Sequence, residues 1–438
     1  MMTNYSAHYA KRGPTPQTQP IPGREAEQVE NHAGGFVFSV GDWGQLDRFL
    51  IQGATGATYY ASERDMTVDN AQAVVRCIKQ DGVRVVDRIV EISEAGRAPK
   101  NDPALFCLAL CAAAEDTATR QAALRVLPRV ARTATFLFKF CEMVQGQRGW
   151  GRALRRAVAD WYNQMPVDKL AYQAVKYRQR EGWTHRDLLR LSHPLAEASD
   201  VWRRGLYNWI CGRGLPGDDI SLPAIIYGYE HLKANPSPEL AAQIIRSHNL
   251  PREAIPTELL SDVGVWRELL KEMPLTAMVR NLGKMSAIKL LDPLNPASYA
   301  KVTEMLSSDE VIRKSRLHPL SILMALKTYA IGHGEKGKLS WTPVGPIVDL
   351  LNDAFYKAFQ AVEPTNKRIL IALDVSGSMG AGSVGGTSMT PREASAALAL
   401  VTAATEKAYL IVGFTAGVSS GWSQGAEITP LPITPRMR

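Results

Sequence analysis

Asp374-Val375-Ser376-Gly377-Ser378 puts one carboxylate and two hydroxyls within a five-residue stretch, directly after the apolar run Ile369-Leu370-Ile371-Ala372-Leu373. Hard oxygen donors, with further positions left for water, suit Mg²⁺. The apolar run reads as a buried strand. In open α/β sheets, ligands sit beyond the carboxyl ends of strands. Asp374, Ser376 and Ser378 are therefore candidate metal ligands. The same residues would also serve as caps of a turn or of the next helix.

A second chemistry is spread over residues 148–213. The chain carries a formal charge of +8, and this segment holds thirteen Lys or Arg against six Asp or Glu, a net of +7. It also holds Trp150, Trp161, Tyr162, Tyr172, Tyr177, Trp183, Trp202, Tyr207 and Trp209. Basic charge interleaved with aromatic rings suits a surface that neutralises phosphates and stacks bases. The alternative is a solvated helical face whose aromatics turn into the core.

Within the segment, a helix is expected over 166–179, with Leu170, Ala171, Ala174 and Val175 on one face. Tyr172, Lys176 and Arg180 follow at i, i+4 and i+8 on another stripe. Helical rise would place Lys176 and Arg180 roughly 6 Å apart along the axis, a spacing that favours an anion between them. Thr184 and Asp187 read as an N-cap pair. His193, preceding Pro194, is expected to be extended at a helix end, where it could stack on a base or donate to phosphate. The candidate nucleic-acid-binding residues are Tyr172, Lys176, Arg178, Arg180, His185, Arg186, Arg190 and His193.

The elements that must position these residues follow from the rest of the chain. A length of 438 residues with 45% apolar content supports at least two domains and a sizeable core. Residues 1–35 read as a mobile tail. Helical patterns recur at 69–79, 82–95, 103–114, 118–132, 134–143, 151–163 and 166–179, and again at 222–232, 238–247, 263–271, 298–306 and 320–329. Short loops between successive helices suit a stacked, solenoid-like or ring arrangement. Residues 362–367 read as a linker to the strand before Asp374. Beyond it come one helix (about 391–407), one strand (408–414) and a Gly/Ser/Pro-rich end. The odd set of five cysteines has no C-x-x-C pair and reads as core packing, with Cys107 and Cys111 on one helix face. No apolar stretch suits a membrane span or signal peptide, so a cytoplasmic protein is expected.

Several stretches carry a resemblance. D-x-S-x-S after a strand resembles the metal-ion-dependent adhesion site of von Willebrand factor A domains. Trp150-Gly151-Arg152-Ala153-Leu154-Arg155-Arg156-Ala157-Val158-Ala159-Asp160-Trp161-Tyr162-Asn163 resembles the Ro autoantigen family. So do Lys176-Tyr177-Arg178-Gln179-Arg180 and the run from Gly182-Trp183-Thr184-His185 to Leu191-Ser192-His193. The stretch from Glu272-Met273-Pro274 to Gly283-Lys284-Met285, and Gly332-His333-Gly334, agree as well. The resemblance implies a mainly α fold: a HEAT-like helical-repeat ring, the TROVE module, over 36–362, then a partial α/β von Willebrand factor A domain over 363–438. It implies Y RNA on an outer basic surface, where Lys176, Arg180 and His193 match the family's contacts. It also implies single-stranded ends of misfolded RNA in the central hole, and polynucleotide phosphorylase as a partner tethered through RNA.

Only 64 residues follow Asp374. The Thr and Asp loops that complete such a metal site are not found among them. A truncated domain with weak Mg²⁺ binding and an exposed strand edge at 408–414 is therefore expected. No nucleophile–base set, Walker loop or H-E-x-x-H occurs, so a non-enzyme is expected. A protein-interaction scaffold and a metal-dependent nuclease are the alternatives.

Overall fold

Apolar residues recurring every three to four positions fold most of the chain into amphipathic helices. The computed structural model describes residues 19–30, 35–53, 63–214, 221–334, 337–384, 387–415 and 427–430. Most of the expected N-terminal tail (1–18 and 31–34) and much of the Gly/Ser/Pro-rich end (416–426 and 431–438) lie outside the described residues. The chain divides into two compact units, residues 1–230 and 231–438.

The first unit opens with a hairpin of β1 (Gln28–Glu30) and β2 (Phe36–Phe38), paired antiparallel. Ordered structure thus begins before residue 36, inside the span expected to be tail. Helices α1 (Asp42–Gln52), α2 (Glu63–Ala95), α3 (Asp102–Ala113), α4 (Thr117–Arg125), α5 (Leu127–Val130), α6 (Ala134–Gln145), α7 (Arg152–Gln164) and α8 (Val167–Lys176) follow. A two-stranded ribbon comes next, β3 (Gln179–Arg180) with β4 (Trp183–Thr184), then α9 (His185–Ser192), α10 (Val201–Ile210) and α11 (Ala224–Ala234).

The two helices expected at 69–79 and 82–95 meet at a break inside α2. Asp81 leaves helical geometry (φ −158°, ψ 84°), and its carboxylate accepts from the N–H of Arg84 as a local cap. The single helix expected over 118–132 is instead two. Val126 ends α4, and Pro128 sits in the first turn of α5, where its missing N–H costs nothing. The core is built from Leu46, Leu50, Ile89, Ile92, Leu105, Leu108, Phe138, Phe140, Trp161 and Tyr162. All five cysteines are free thiols, four of them buried; burial pushes Cys111 up to about 12.

The second unit runs through α12 (Pro238–His248), α13 (Val263–Lys271), α14 (Leu275–Ala287), α15 (Ala300–Ser307), α16 (Asp309–Ser315), α17 (Pro319–Ile331) and α18 (Gly345–Lys357). Ser237 caps α12 through the N–H of Leu240, as the Asn-Pro-Ser-Pro signal predicts. Strand β5 (Arg368–Asp374), helix α19 (Pro391–Thr405) and strands β6 (Ala408–Thr415) and β7 (Glu427–Pro430) complete it. β5 and β6 run parallel with α19 as the crossover, and β7 adds to β6 antiparallel at Val412–Thr415. Over Val412–Thr415 β6 is therefore the central strand of three, covered by a β7 segment that short sequence windows do not reveal, whereas over residues 408–411 it pairs with β5 alone among the described residues, as the expected exposed edge requires. Residues 362–367 are held down, since the Glu406 carboxylate accepts from the N–H groups of Thr365 (2.6 Å) and Asn366 (3.1 Å). Lys327 of α17 pairs with Glu393 of α19 at 2.5 Å.

Candidate nucleic-acid interface and oxygen-ligand loop

Helix α8 forms as expected, with Leu170, Ala171, Ala174 and Val175 buried. Gln173 is buried too, and its side-chain oxygen accepts from the N–H of Ala134 at 2.9 Å, at the start of α6. The helix ends at Lys176, four residues before Arg180. Glu181 (φ 51°) and Gly182 (φ 77°) form a two-residue turn with both φ angles positive, the geometry that matches the twist of a tight hairpin. Arg180 lies on β3 opposite Trp183. The stripe Tyr172–Lys176–Arg180 therefore does not exist as a helical stripe. The chain reverses through Glu181-Gly182 before a third turn can form.

Lys176 is flanked by two rings. Its ammonium lies 5.4 Å from the ring centroid of Tyr172 and 5.4 Å from that of Tyr177. Arg178 is exposed, with its guanidinium 5.7 Å from the Tyr229 ring. Arg180 is exposed and donates to the carbonyl of Gln179.

The expected cap pair opens α9: Thr184 accepts from the N–H of Asp187 at 3.2 Å, and Asp187 accepts from the N–H of Thr184 at 3.0 Å. Leu188, Leu189 and Ser192 face inward, while Arg186, Arg190 and His193 are exposed. Their spacing, i, i+4 and i+7, makes them one outward stripe. His193 is not extended. It closes the helix in the left-handed region (φ 49°, ψ 54°), its N–H donating to Leu189.

His185 is not available to RNA. It is 3% exposed, packs edge-on to Phe138 at 5.0 Å, and its Nδ1 shares a 2.9 Å hydrogen bond with the Tyr162 hydroxyl. Burial pushes its pKa down to about 4, so the ring is neutral at pH 7. The spacing already held the signal: His185 stands three and four residues before the buried Leu188 and Leu189.

The segment's other aromatics divide in the same way. Trp161 and Tyr162 belong to the core. Trp150 and Trp183 are half-buried, with ring centroids 5.6 Å apart. Both hang from the end of α6, where the Trp183 indole donates to Glu142 (2.8 Å) and the Trp150 indole to Gln145 (3.1 Å). Sequence reasoning missed the role of Arg203, a buried guanidinium. It donates to the carbonyls of Tyr162 (2.6 Å) and Met165 (3.0 Å) at the end of α7 and pairs with Asp200 at 2.7 Å.

In the second unit, Asp374 ends β5 and its carboxylate accepts from the N–H of Ser376 at 2.9 Å. Hydrogen bonds from Ser376 hold this carboxyl below the usual range. The Ser376 and Ser378 hydroxyl oxygens are 3.0 Å apart. That separation matches one edge of a Mg²⁺ octahedron, which is about 3 Å for metal–oxygen bonds of ~2.1 Å. The charge fits less well. One carboxylate is present, and the Arg392 guanidinium lies 3.4 Å from the Ser376 carbonyl oxygen. No group of three or more His, Cys, Asp or Glu side chains gathers among the described residues.

Residues 29–210 and 246–328 match the TROVE domain, and residues 368–438 match the Ro60 vWA domain. The chain is 40% identical over 425 residues to a protein of Deinococcus radiodurans named RNA-binding protein RO60, covering 96% of this chain and 77% of that one. A Caenorhabditis elegans protein of the same name is 35% identical over 482 residues, covering 93% of this chain and 73% of its own length. The crystal structure of the Deinococcus radiodurans RO (RSR) protein superposes with a TM-score of 0.75 at 36% identity, over 90% of this chain and 77% of that one.

Proposed function

The chain belongs to the Ro60-related family of TROVE-domain proteins, and on that premise we propose that it is an RNA-binding protein whose β3–α9 face takes RNA phosphates. One observation carries the reading. Arg178, Arg180, Arg186 and Arg190 are exposed, and among the described residues the partners of the first two are the Tyr229 ring and the Gln179 carbonyl, with no carboxylate on any of the four. Guanidiniums without a carboxylate, beside and on one short ribbon and on the helix that follows it, form a surface that phosphate oxygens can satisfy bidentately.

The finer reading is that this face holds a structured noncoding RNA of the Y RNA kind. Tyr172, Lys176 and His193 border it. Single-stranded ends of misfolded RNA would enter the hole of the ring that the family resemblance implies, in small-RNA quality control. Polynucleotide phosphorylase would join through the RNA rather than by direct contact. The protein acts as a binder rather than a catalyst, which agrees with the names of both relatives. No helix of the described residues is long and apolar enough to cross a membrane.

Sequencing RNA crosslinked to the protein in cells tests this directly. Enrichment of one structured small RNA, with crosslinks mapping to residues 176–193, is the expected result. Recovery of no RNA above background would refute the reading.

A further inference from the structure

We propose that Trp150 and Trp183 form a stacking site for one unpaired nucleobase of the bound RNA, with Arg180 receiving the adjoining phosphate; this rests on the RNA-binding reading above. The two indoles lie 5.6 Å apart and are tilted by 52°, so they line a corner rather than a closed sandwich. Their N–H groups are spent on Glu142 and Gln145, three residues apart on α6. Each ring is thereby held by its polar edge. Little conformational freedom remains to be lost when a base arrives, which is the condition for a preorganised platform.

The surroundings are open. Gly149, Gly151 and Gly182 adjoin the two tryptophans in sequence, and a Cβ built on any of them would meet nothing within 4 Å. Arg180 is the cross-strand partner of Trp183. Opposed residues on a ribbon project from the same face with Cβ atoms about 5 Å apart. The ribbon thus carries the ring and the cation side by side on one face, as one nucleotide carries its base and phosphate. Arg148 and Arg152, both exposed, flank Trp150 along the chain. Two carboxylates lie close by: Glu142 is turned to the indole N–H, at the edge of the ring and not over its face, and Glu181 stands exposed in the turn between Arg180 and Trp183. Because every base has a π face, such a site reads single-strandedness rather than sequence. It gives the basic ribbon a means of preferring RNA with an unpaired nucleotide over a continuous duplex.

The test uses the full chain and a short oligouridylate carrying one 5-iodouridine, irradiated after binding, with adducts located by mass spectrometry. The expected adduct is on Trp150 or Trp183. In parallel, Trp183→Leu should weaken oligouridylate binding by about 5- to 100-fold, the range for loss of one base–aromatic stack. Trp183→Phe, which keeps a ring face, should recover most of that loss, and both variants should bind a blunt duplex like the parent protein. Adducts confined to other residues would overturn the proposal, as would a Trp183→Leu protein of unchanged melting temperature and unchanged oligouridylate affinity. Should Trp183→Leu fail to fold, the adduct map on the parent protein decides alone. If Arg178→Ala with Arg180→Ala weakens RNA binding while a folded Trp183→Leu protein keeps the parent's oligouridylate affinity, the stacking site falls and the RNA interface stands. If the parent protein binds no RNA at all, both fall.

Discussion

Replacing Arg186 and Arg190 together by alanine should flatten the salt dependence of RNA binding without harming the fold. Both side chains are exposed on the outward stripe of α9, and neither has a carboxylate partner among the described residues. Loss of such groups typically changes stability by less than about 0.5 kcal/mol. The face offers five cations: Lys176, Arg178, Arg180, Arg186 and Arg190. If each neutralises one phosphate of a single strand, log K should fall with log salt at a slope of about −3.5. Between about 50 and 200 mM salt this is a loss of roughly 100-fold. With two cations removed, the slope becomes about −2.1, and the same change of salt costs roughly 20-fold. Filter binding or fluorescence anisotropy across that range reads both slopes. A variant that still binds with the parent's slope would show that α9 does not touch the phosphates. A parent slope near zero would remove the electrostatic reading altogether.

Lys176→Ala with Arg180→Ala should cost about 1–3 kcal/mol of structured-RNA affinity at unchanged melting temperature, as expected for lost charge-assisted contacts; equal affinity would make these side chains bystanders. Stability should fall on acidification in two stages. The His185 pKa is lowered to about 4, so the unfolded chain takes up a proton that the folded one refuses as pH drops from about 6.5 towards 4. Glu268 is held down to about 2, chiefly by its hydrogen bond from Arg246 with Lys271 adding to it, so its contribution is lost between about 4.5 and 2. Chemical denaturation against pH should show both windows, and Glu268→Gln should shrink the lower one, leaving the share of Glu393, which Lys327 holds down to about 2 as well; an unchanged lower window in that variant would refute the assignment. Calorimetry should find no heat of Mg²⁺ binding at millimolar concentration, and Asp374→Ala should leave RNA binding as it was; tight binding lost in that variant would mean that further ligands complete the loop.

What was legible in the sequence was local. The Thr184–Asp187 cap, the inward face of α8 and the strand before Asp374 each depend on residues a few positions apart, and each is found in place, although the strand is not buried as expected: its side chains alternate between exposed and half-buried, and Leu370 is 58% exposed. The helix period failed at Arg180 because i+8 spacing continues on paper through a turn. Only Glu181-Gly182, a pair suited to two positive φ angles, marked the reversal. The chemical type of His185 suggests a ligand, whereas its position, three and four residues before two buried leucines, places it inside. The distant partners of Trp183 and Arg203 are not legible in the sequence. Arg203 and Trp183 reach residues about forty positions away, and a single sequence carries no signal for such pairs.

The Arg203 guanidinium also has a consequence for how this region opens. It joins the end of α7 to the start of α10 across 41 positions of chain. Everything between, including α8, the ribbon and α9, is a loop whose two ends are pinned at one buried point. While that staple holds, the loop's ends are already closed, and the entropy of bringing them together is not available to drive partial opening. Residues 166–200 should therefore come apart as one cooperative piece or not at all. Native-state hydrogen exchange should give the slow amides of α8 and α9 a common opening free energy, and Arg203→Leu should lower both together. Separate values for the two helices in the parent protein would show that the staple does not bind them into one unit.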